Sequence, residues 1–159
     1  MSHPALIKTL GYAGLVPFMV PVHLMGQAFL SASGLQSAAL FGLYAPYAFI
    51  AYSAVILSFL SGTLWAYARP LEGGLSSGAI LFSNLVALSA WLSLLLIYIA
   101  PIMTLFALCL LMAGYLGLLL IERLLGVPQN ADYWRMRIQL TAVVALAHLL
   151  VILMMVAEL

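Results

Sequence analysis

The sequence predicts an all-α integral membrane protein, a bundle of five transmembrane helices with a cytoplasmic N-terminus and its C-terminus outside. The first observation is composition, because 67% of the 159 residues are apolar and only 6% are charged. Soluble domains are about 45–50% apolar and about 25% charged. The second is that the apolar residues form five long runs, and the third is that every Lys and Arg falls on one side of them. So few charges cannot cover a soluble core, which excludes a water-soluble enzyme, a disordered chain and a nucleic-acid-binding protein.

The five runs have the length of membrane-spanning helices. A helix needs about 20 apolar residues to cross about 30 Å of hydrocarbon. The runs also lack the period-2 alternation of barrel strands. They place the helices at about 10–30, 44–68, 78–98, 102–121 and 134–157. We expect one transmembrane domain over residues 1–159.

The first run has two interpretations. Lys8, the apolar run and the small residues Ser31, Ala32 and Ser33 resemble a cleavable signal segment, and cleavage would leave four helices with both termini outside. The run is longer than a signal core of about 7–15 residues, which favours a retained helix. The uncharged stretch 31–42 then either lies in the interface or extends the first helix.

Small residues at spacing four run along two of the helices. The second helix carries Ala54, Ser58, Gly62 and Ala66, and the fourth carries Ala113 and Gly117. Lipid provides no hydrophobic drive between helices, so such stripes are typical of close backbone contact. The alternative is a narrow crevice that admits a ligand beside Gly62.

Turn-forming residues separate the last four runs. Pro70 and the glycine- and serine-rich stretch 72–78 end the second helix and start the third. Pro101 predicts a tight turn before the fourth helix, because a proline in the first helical turn loses no hydrogen bond. The stretch 126–130 breaks the chain before the fifth helix, where we expect Asp132 to be the N-cap.

The basic residues predict the orientation. On a five-helix path, all of them lie on one side: Lys8, Arg69, Arg123, Arg135 and Arg137. Short loops that carry Lys or Arg stay in the cytoplasm, so this side is predicted to be inside. We therefore expect a multi-pass protein of the bacterial cytoplasmic (inner) membrane.

Six residues are candidates for a ligand-binding site within the membrane. Ionisable groups at depth are costly, which makes each one a candidate site. His148 lies about 16 Å along the helix from Arg137, near the midplane. The remaining candidates are polar, small or aromatic residues of the second and third helices: Ser58, Gly62, Trp65, Asn84 and Trp91.

The histidines permit a second kind of site. His23 and His148 lie on different helices at roughly similar depths, and a bis-imidazole haem needs such a pair. A quinone or proton-relay role is a further alternative. The simpler interpretation is a neutral imidazole bonded to a neighbouring polar group. Pro17 and Pro21 precede His23 and free backbone carbonyls that a polar side chain can meet.

A basic and aromatic cluster is predicted at the inner boundary. It consists of Arg69, Trp134, Arg135 and Arg137. Arg135 and Arg137 cannot share one helix face, so they should serve different partners. Anchoring to anionic headgroups is one account. The others are a structural lock between Arg137 and helix-end carbonyls or Glu122, and a bound anionic ligand.

The sequence lacks the usual patterns of catalytic and metal sites. Cys109 is the single cysteine, so a CxxC site is excluded. No Asp or Glu lies at the centre of a run, and no Ser/His/Asp set or HExxH stretch can be assembled. We therefore predict no catalytic residues, no metal site and no cofactor.

The stretch from Tyr52 to Trp65 resembles the signature of a family of small membrane proteins. Weaker matches occur at 14–18, at Ala90-Trp91 and in the last helix from Tyr133 to Thr141. The family is a domain of unknown function that includes the vertebrate transmembrane protein sixty-nine. The chain departs from its pattern at Val86-Ala87, where the family often has Pro-Ser. The resemblance implies five membrane helices and no assigned activity.

Two functional hypotheses remain. The first is a non-enzymatic scaffold, assembly factor or accessory subunit, which would contact another membrane protein or a second copy as well as the lipid bilayer. The small stripes and short loops favour it. The second is a small-molecule binder or transporter that uses the six candidate residues.

Overall fold

The structure is a computed structural model that describes residues 3–126 and 131–158. Its helices are α1 (His3–Ala13), α2 (Val16–Leu30), α3 (Ala45–Ala68), α4 (Gly74–Ile99), α5 (Pro101–Leu124) and α6 (Ala131–Val156). Between α2 and α3 lie a 3₁₀ turn (Leu35–Ser37) and a small hairpin of β1 (Ala39–Leu40) and β2 (Leu43–Tyr44).

Five helical stretches of the described chain are long and apolar enough to cross a membrane. They are Ala5–Leu30, Ala45–Ala68, Gly74–Ile99, Ile102–Leu124 and Ala131–Val156. The helical fold class is therefore confirmed, and so is the presence of five helical stretches with the length and hydropathy of membrane spans. The third helix begins at Gly74 rather than at the expected position 78, so the stretch of turn residues before it is shorter than predicted.

The chain divides into two compact units. The first comprises Met1–Tyr52 with Asn130–Leu159, and the second comprises Ser53–Gln129. The expectation of one transmembrane domain stays a prediction.

In the first unit, the first span is interrupted between α1 and α2. Pro17 has no N–H with which to bond the carbonyl of Ala13, which weakens the regular helical pattern at this point. The chain turns at Gly14 and Leu15, and the Phe18 N–H donates to the Leu15 carbonyl. The Gly14 carbonyl accepts the Tyr52 hydroxyl at 2.9 Å. The predicted use of a freed carbonyl by a polar side chain thus occurs at this break.

The stretch that follows α2 folds back as a hairpin and does not extend the helix. Ala32 adopts a positive φ of 53°, and the Ser33 N–H bonds the Ala28 carbonyl, which closes the end of α2. The hairpin turn has positive φ at both Phe41 (52°) and Gly42 (81°), as a two-residue turn of the I′ type requires.

The last helix of the first unit packs against α1. The Tyr12 hydroxyl donates to Gln139 Oε1 at 2.7 Å. Asp132 lies within the first turn of α6 and does not have the predicted N-cap position, since Ala131 before it is already helical. Its carboxylate lies 3.8 Å from Lys8 Nζ.

In the second unit, α4 and α5 are joined by the single extended residue Ala100. Two glycines of α5 allow close packing. A Cβ on Gly114 would lie 2.7 Å from Leu57 Cδ2, and one on Gly117 would lie 2.7 Å from Phe82 Cζ. The predicted small pair in this helix therefore includes a glycine in helix–helix contact.

Replacement of Gly117 by isoleucine should destabilise the protein. The new side chain meets the Phe82 ring, and overpacking of this kind costs about 1–3 kcal/mol. Gly62→Ile is the matched control, because a Cβ there meets no atom within 4 Å and the gain in helix propensity is the same. We expect a lower melting temperature in detergent for Gly117→Ile only. Equal melting temperatures would contradict this packing.

Candidate functional site

The residues predicted on α3 lie on its exposed face. The buried side of α3 in the second unit carries Ala54, Leu57, Ser61, Leu64 and Ala68. Ser58, Gly62, Trp65 and Ala66 are exposed, one to two positions out of phase with that row. The small stripe therefore starts at buried Ala54 and then turns outward. Gly62 has open space where its Cβ would be.

Two hydroxyl groups of α3 donate within their own helix. Ser61, on the buried side, donates to the Ser58 carbonyl at 2.7 Å. Thr63, on the exposed side, donates to the Leu60 carbonyl at 2.7 Å. Hydroxyls of this kind have used their only proton locally.

The residues predicted on α4 are also exposed. Asn84 donates from Nδ2 to the Ile80 carbonyl at 2.9 Å, within its own helix. Trp91 keeps 58% of its surface exposed. The buried side of α4 carries small residues over most of its length and larger apolar residues at Val86 and near its C-terminal end: Ser76, Ala79, Ser83, Val86, Ala90, Ser93, Leu96 and Ile97.

His148 is fully buried in the first unit. Its Nδ1 lies 2.8 Å from the Val144 carbonyl. The rings of Phe49 and Phe18 are 4.8 and 6.3 Å away between centroids. His23 is exposed, so the two imidazoles do not present a common face for a planar macrocycle. A ligand site shared by His148 and the five exposed residues stays a prediction.

The two arginines at the start of α6 have different environments. Arg135 is exposed. Arg137 is only 5% exposed, and its Nη1 donates to Thr141 Oγ1 at 3.4 Å. Trp134, which directly precedes Arg135, is half-buried. The two guanidinium groups thus have different surroundings, because residues two positions apart are separated by about 200° around a helix.

Arg69 pairs with an aromatic ring of its own helix end. Its guanidinium carbon lies 5.5 Å from the centre of the Trp65 ring, within the range of a cation–π contact. Both side chains are exposed. Trp65 therefore holds Arg69 at the end of α3, where an anionic headgroup can reach it.

Sequence reasoning missed two features at the end of α2. Glu158 accepts the Leu35 N–H through both carboxylate oxygens, at 2.8 and 2.9 Å. An open groove of about 640 Å³ also lies there, with Ser31, Ser33 and Ser37 in its lining. The only sequence signal was the recurrence of serine in a stretch without charges.

The exposed apolar faces, the five spans and the short connections define a multi-pass α-helical membrane protein. Residues 3–153 match the family described as "Protein of unknown function (DUF3429)", and the chain belongs to that family. This confirms the resemblance to an uncharacterised family over nearly the whole chain. No curated protein and no solved structure matched the chain.

The burial of Arg137 predicts a difference between the two α6 arginines. Arg137→Ala removes a packed stem and a hydrogen bond to Thr141, so we expect it to lower the free energy of unfolding by about 2 kcal/mol. Arg135→Ala is the control and should leave the free energy unchanged, since Arg135 is exposed. Thermal unfolding in one detergent measures both. Equal loss in the two variants would argue against a structural role for Arg137.

Proposed function

We propose that the chain is a non-enzymatic accessory or assembly subunit that binds another transmembrane helix along the exposed face of α3. The observation that carries this proposal is the contrast between two glycines of the second unit. Gly117 faces the Phe82 ring, whereas Gly62 has no atom within 4 Å of a Cβ position. The small residue on α5 is therefore packed within the chain, whereas the small residue on α3 leaves open space.

An open small-residue face has a physical use in a bilayer. Association there depends on van der Waals contact, and small residues let two backbones approach closely. Ser58, Gly62 and Ala66 form such a surface, and the exposed Val55 and Phe59 flank it. A partner helix with a matching small face would pack onto this ridge-and-groove surface.

The chemistry of this face favours a helix over a polar substrate. The Thr63 hydroxyl on the exposed side of α3 donates to a carbonyl of the same helix, and the neighbouring Val55 and Phe59 on that side are apolar. No group of three or more His, Cys, Asp or Glu side chains that could hold a metal ion occurs among residues 3–126 and 131–158. The face therefore supports shape-based recognition, and the partner is a second membrane protein or another copy of this chain.

The proposal includes an orientation in the bacterial inner membrane. The five basic residues support a cytoplasmic N-terminus through the positive-inside rule. Lys8 precedes the first span and Arg135 and Arg137 open the last. With five spans, the C-terminus would then lie outside.

A face-specific variant tests the proposed subunit role. In a mild-detergent extract of cells that express the tagged protein, Gly62→Ile should lose most of a co-purifying membrane protein, because its side chain fills the open face. Gly78→Ile is the matched control, since Gly78 of α4 also has open space at its Cβ position. A wild-type protein that elutes alone and monomeric would overturn the proposal, as would equal recovery in both variants.

The orientation has an independent test. A periplasm-dependent reporter fused after Leu159 should be active, and a cytoplasm-dependent reporter at the same position should be silent. Five spans from a cytoplasmic N-terminus require this outcome. The opposite pattern would place the basic residues outside.

A further inference from the structure

The groove at the end of α2 is lined by one face of that helix and by the segment that follows it. Leu24, Gln27, Ala28 and the C-cap Ser31 share this face, because residues three, four and seven positions apart lie along one side of a helix. Ser33 and Ser37 line the groove beyond the helix end. We propose that this groove binds a bilayer lipid whose headgroup carries a primary ammonium group.

The serine hydroxyls form one connected cluster. Ser33 Oγ lies 3.0 Å from Ser31 Oγ and 3.0 Å from Ser37 Oγ. Ser31 donates to the Gln27 carbonyl and Ser37 to the Gly34 carbonyl, each at 2.8 Å. The Ser33 proton has acceptors in both neighbouring hydroxyls and in the Ala28 carbonyl at 3.2 Å.

This cluster selects a ligand that donates hydrogen bonds. A hydroxyl has one proton and two lone pairs. All three protons have acceptors within the segment, so the groove presents oxygen lone pairs from Ser31, Ser33 and Ser37. An ammonium N–H fits these acceptors, and hydrogen bonds to a charged donor are stronger than neutral ones.

The electrostatics also favour a cation. The groove lies at the C-terminal end of α2, which carries the negative end of the helix dipole. The Glu158 carboxylate binds the Leu35 N–H, between Ser33 and Ser37 in sequence. Burial raises the pKa of the Tyr44 phenol, and the Glu158 charge raises it further. No Lys or Arg occurs between Lys8 and Arg69 to oppose this field.

The apolar residues in the lining of the groove, such as Leu24 and Ala28, favour a lipid over a free amine. The spanning stretch ends at Leu30, so the serines lie at the membrane boundary and Leu24 lies about 10 Å deeper along the helix. An acyl chain can follow Leu24 and Ala28 while the headgroup meets the serines. The exposed Gln27 amide can donate to the lipid phosphate.

Native mass spectrometry of the full-length protein tests this directly. The protein is mixed with phosphatidylethanolamine and with phosphatidylcholine of identical acyl chains. The choline headgroup keeps the positive charge but has no N–H donor. We expect about tenfold greater retention of phosphatidylethanolamine, with the monomethyl and dimethyl lipids in between. Equal retention, or a preference for phosphatidylglycerol, would overturn the proposal. Free ethanolamine should not displace the lipid; displacement would mean a soluble-amine site.

Two variants assign the binding to this groove. The double variant Ser33→Ala with Ser37→Ala should abolish the preference for phosphatidylethanolamine, whereas Ser77→Ala should keep it. Ser77 is an exposed serine whose hydroxyl donates to the Gly73 carbonyl. Ala39→Trp leaves the three serines in place and should reduce the retention of both lipids by filling the groove. An unchanged preference in the folded double variant would place the lipid elsewhere and refute the assignment.

Discussion

The absence of water in the hydrocarbon core is the constraint on which the rest of this structure depends. A polar group there must find its partner in the protein. Among the described residues, no buried side-chain nitrogen or oxygen lacks one. Ser83 and Ser93 meet this demand by donating to the carbonyls of Ile80 and Ala90, each three positions earlier in α4. These two serines satisfy their hydroxyls within α4, whereas the buried Tyr115 hydroxyl of α5 donates to the Ser53 carbonyl of α3 at 2.9 Å.

Three further contacts between elements lie where the helices begin, end or break. The Tyr52 hydroxyl reaches the Gly14 carbonyl at the break in the first span. Ser76 donates to the Ala68 carbonyl at 2.7 Å and so closes the end of α3. Glu158 holds the Leu35 N–H beyond the end of α2. Carbonyls and N–H groups without an intrahelical partner occur at just these places.

The sequence predicts the helices well because span length and hydropathy are local properties. It does not distinguish Gly62 from Gly117, since both are glycines in runs of small residues. Gly117 is a packing contact because the Phe82 ring lies against it, whereas no atom lies within 4 Å of a Cβ at Gly62. The members of the predicted ligand site on α3 and α4 lie on exposed faces, and the site itself stays a prediction.

The sequence did not predict the groove at the end of α2, for a different reason. It exists because Ala32 turns the chain with a positive φ. Glycine and asparagine in a sequence predict this conformation, whereas alanine does not. Without that turn, Ser33 would not approach both Ser31 and Ser37. The local sequence shows three serines and no charge, and only the backbone path makes them one cluster.

The acidic residues of the described chain lie at helix ends and in turns. Glu158 holds a backbone N–H, and Asp132 lies beside Lys8 at an exposed helix start. Glu122 lies near the end of α5, and Glu72 lies in the turn between α3 and α4. A carboxylate that couples transport to protons or cations belongs within a span, facing a pathway. With its carboxylates at helix ends, the chain presents the two surfaces on which the proposals rest: the open face of α3, which would select a partner helix by shape, and the serine groove, which would select a lipid headgroup by hydrogen bonding.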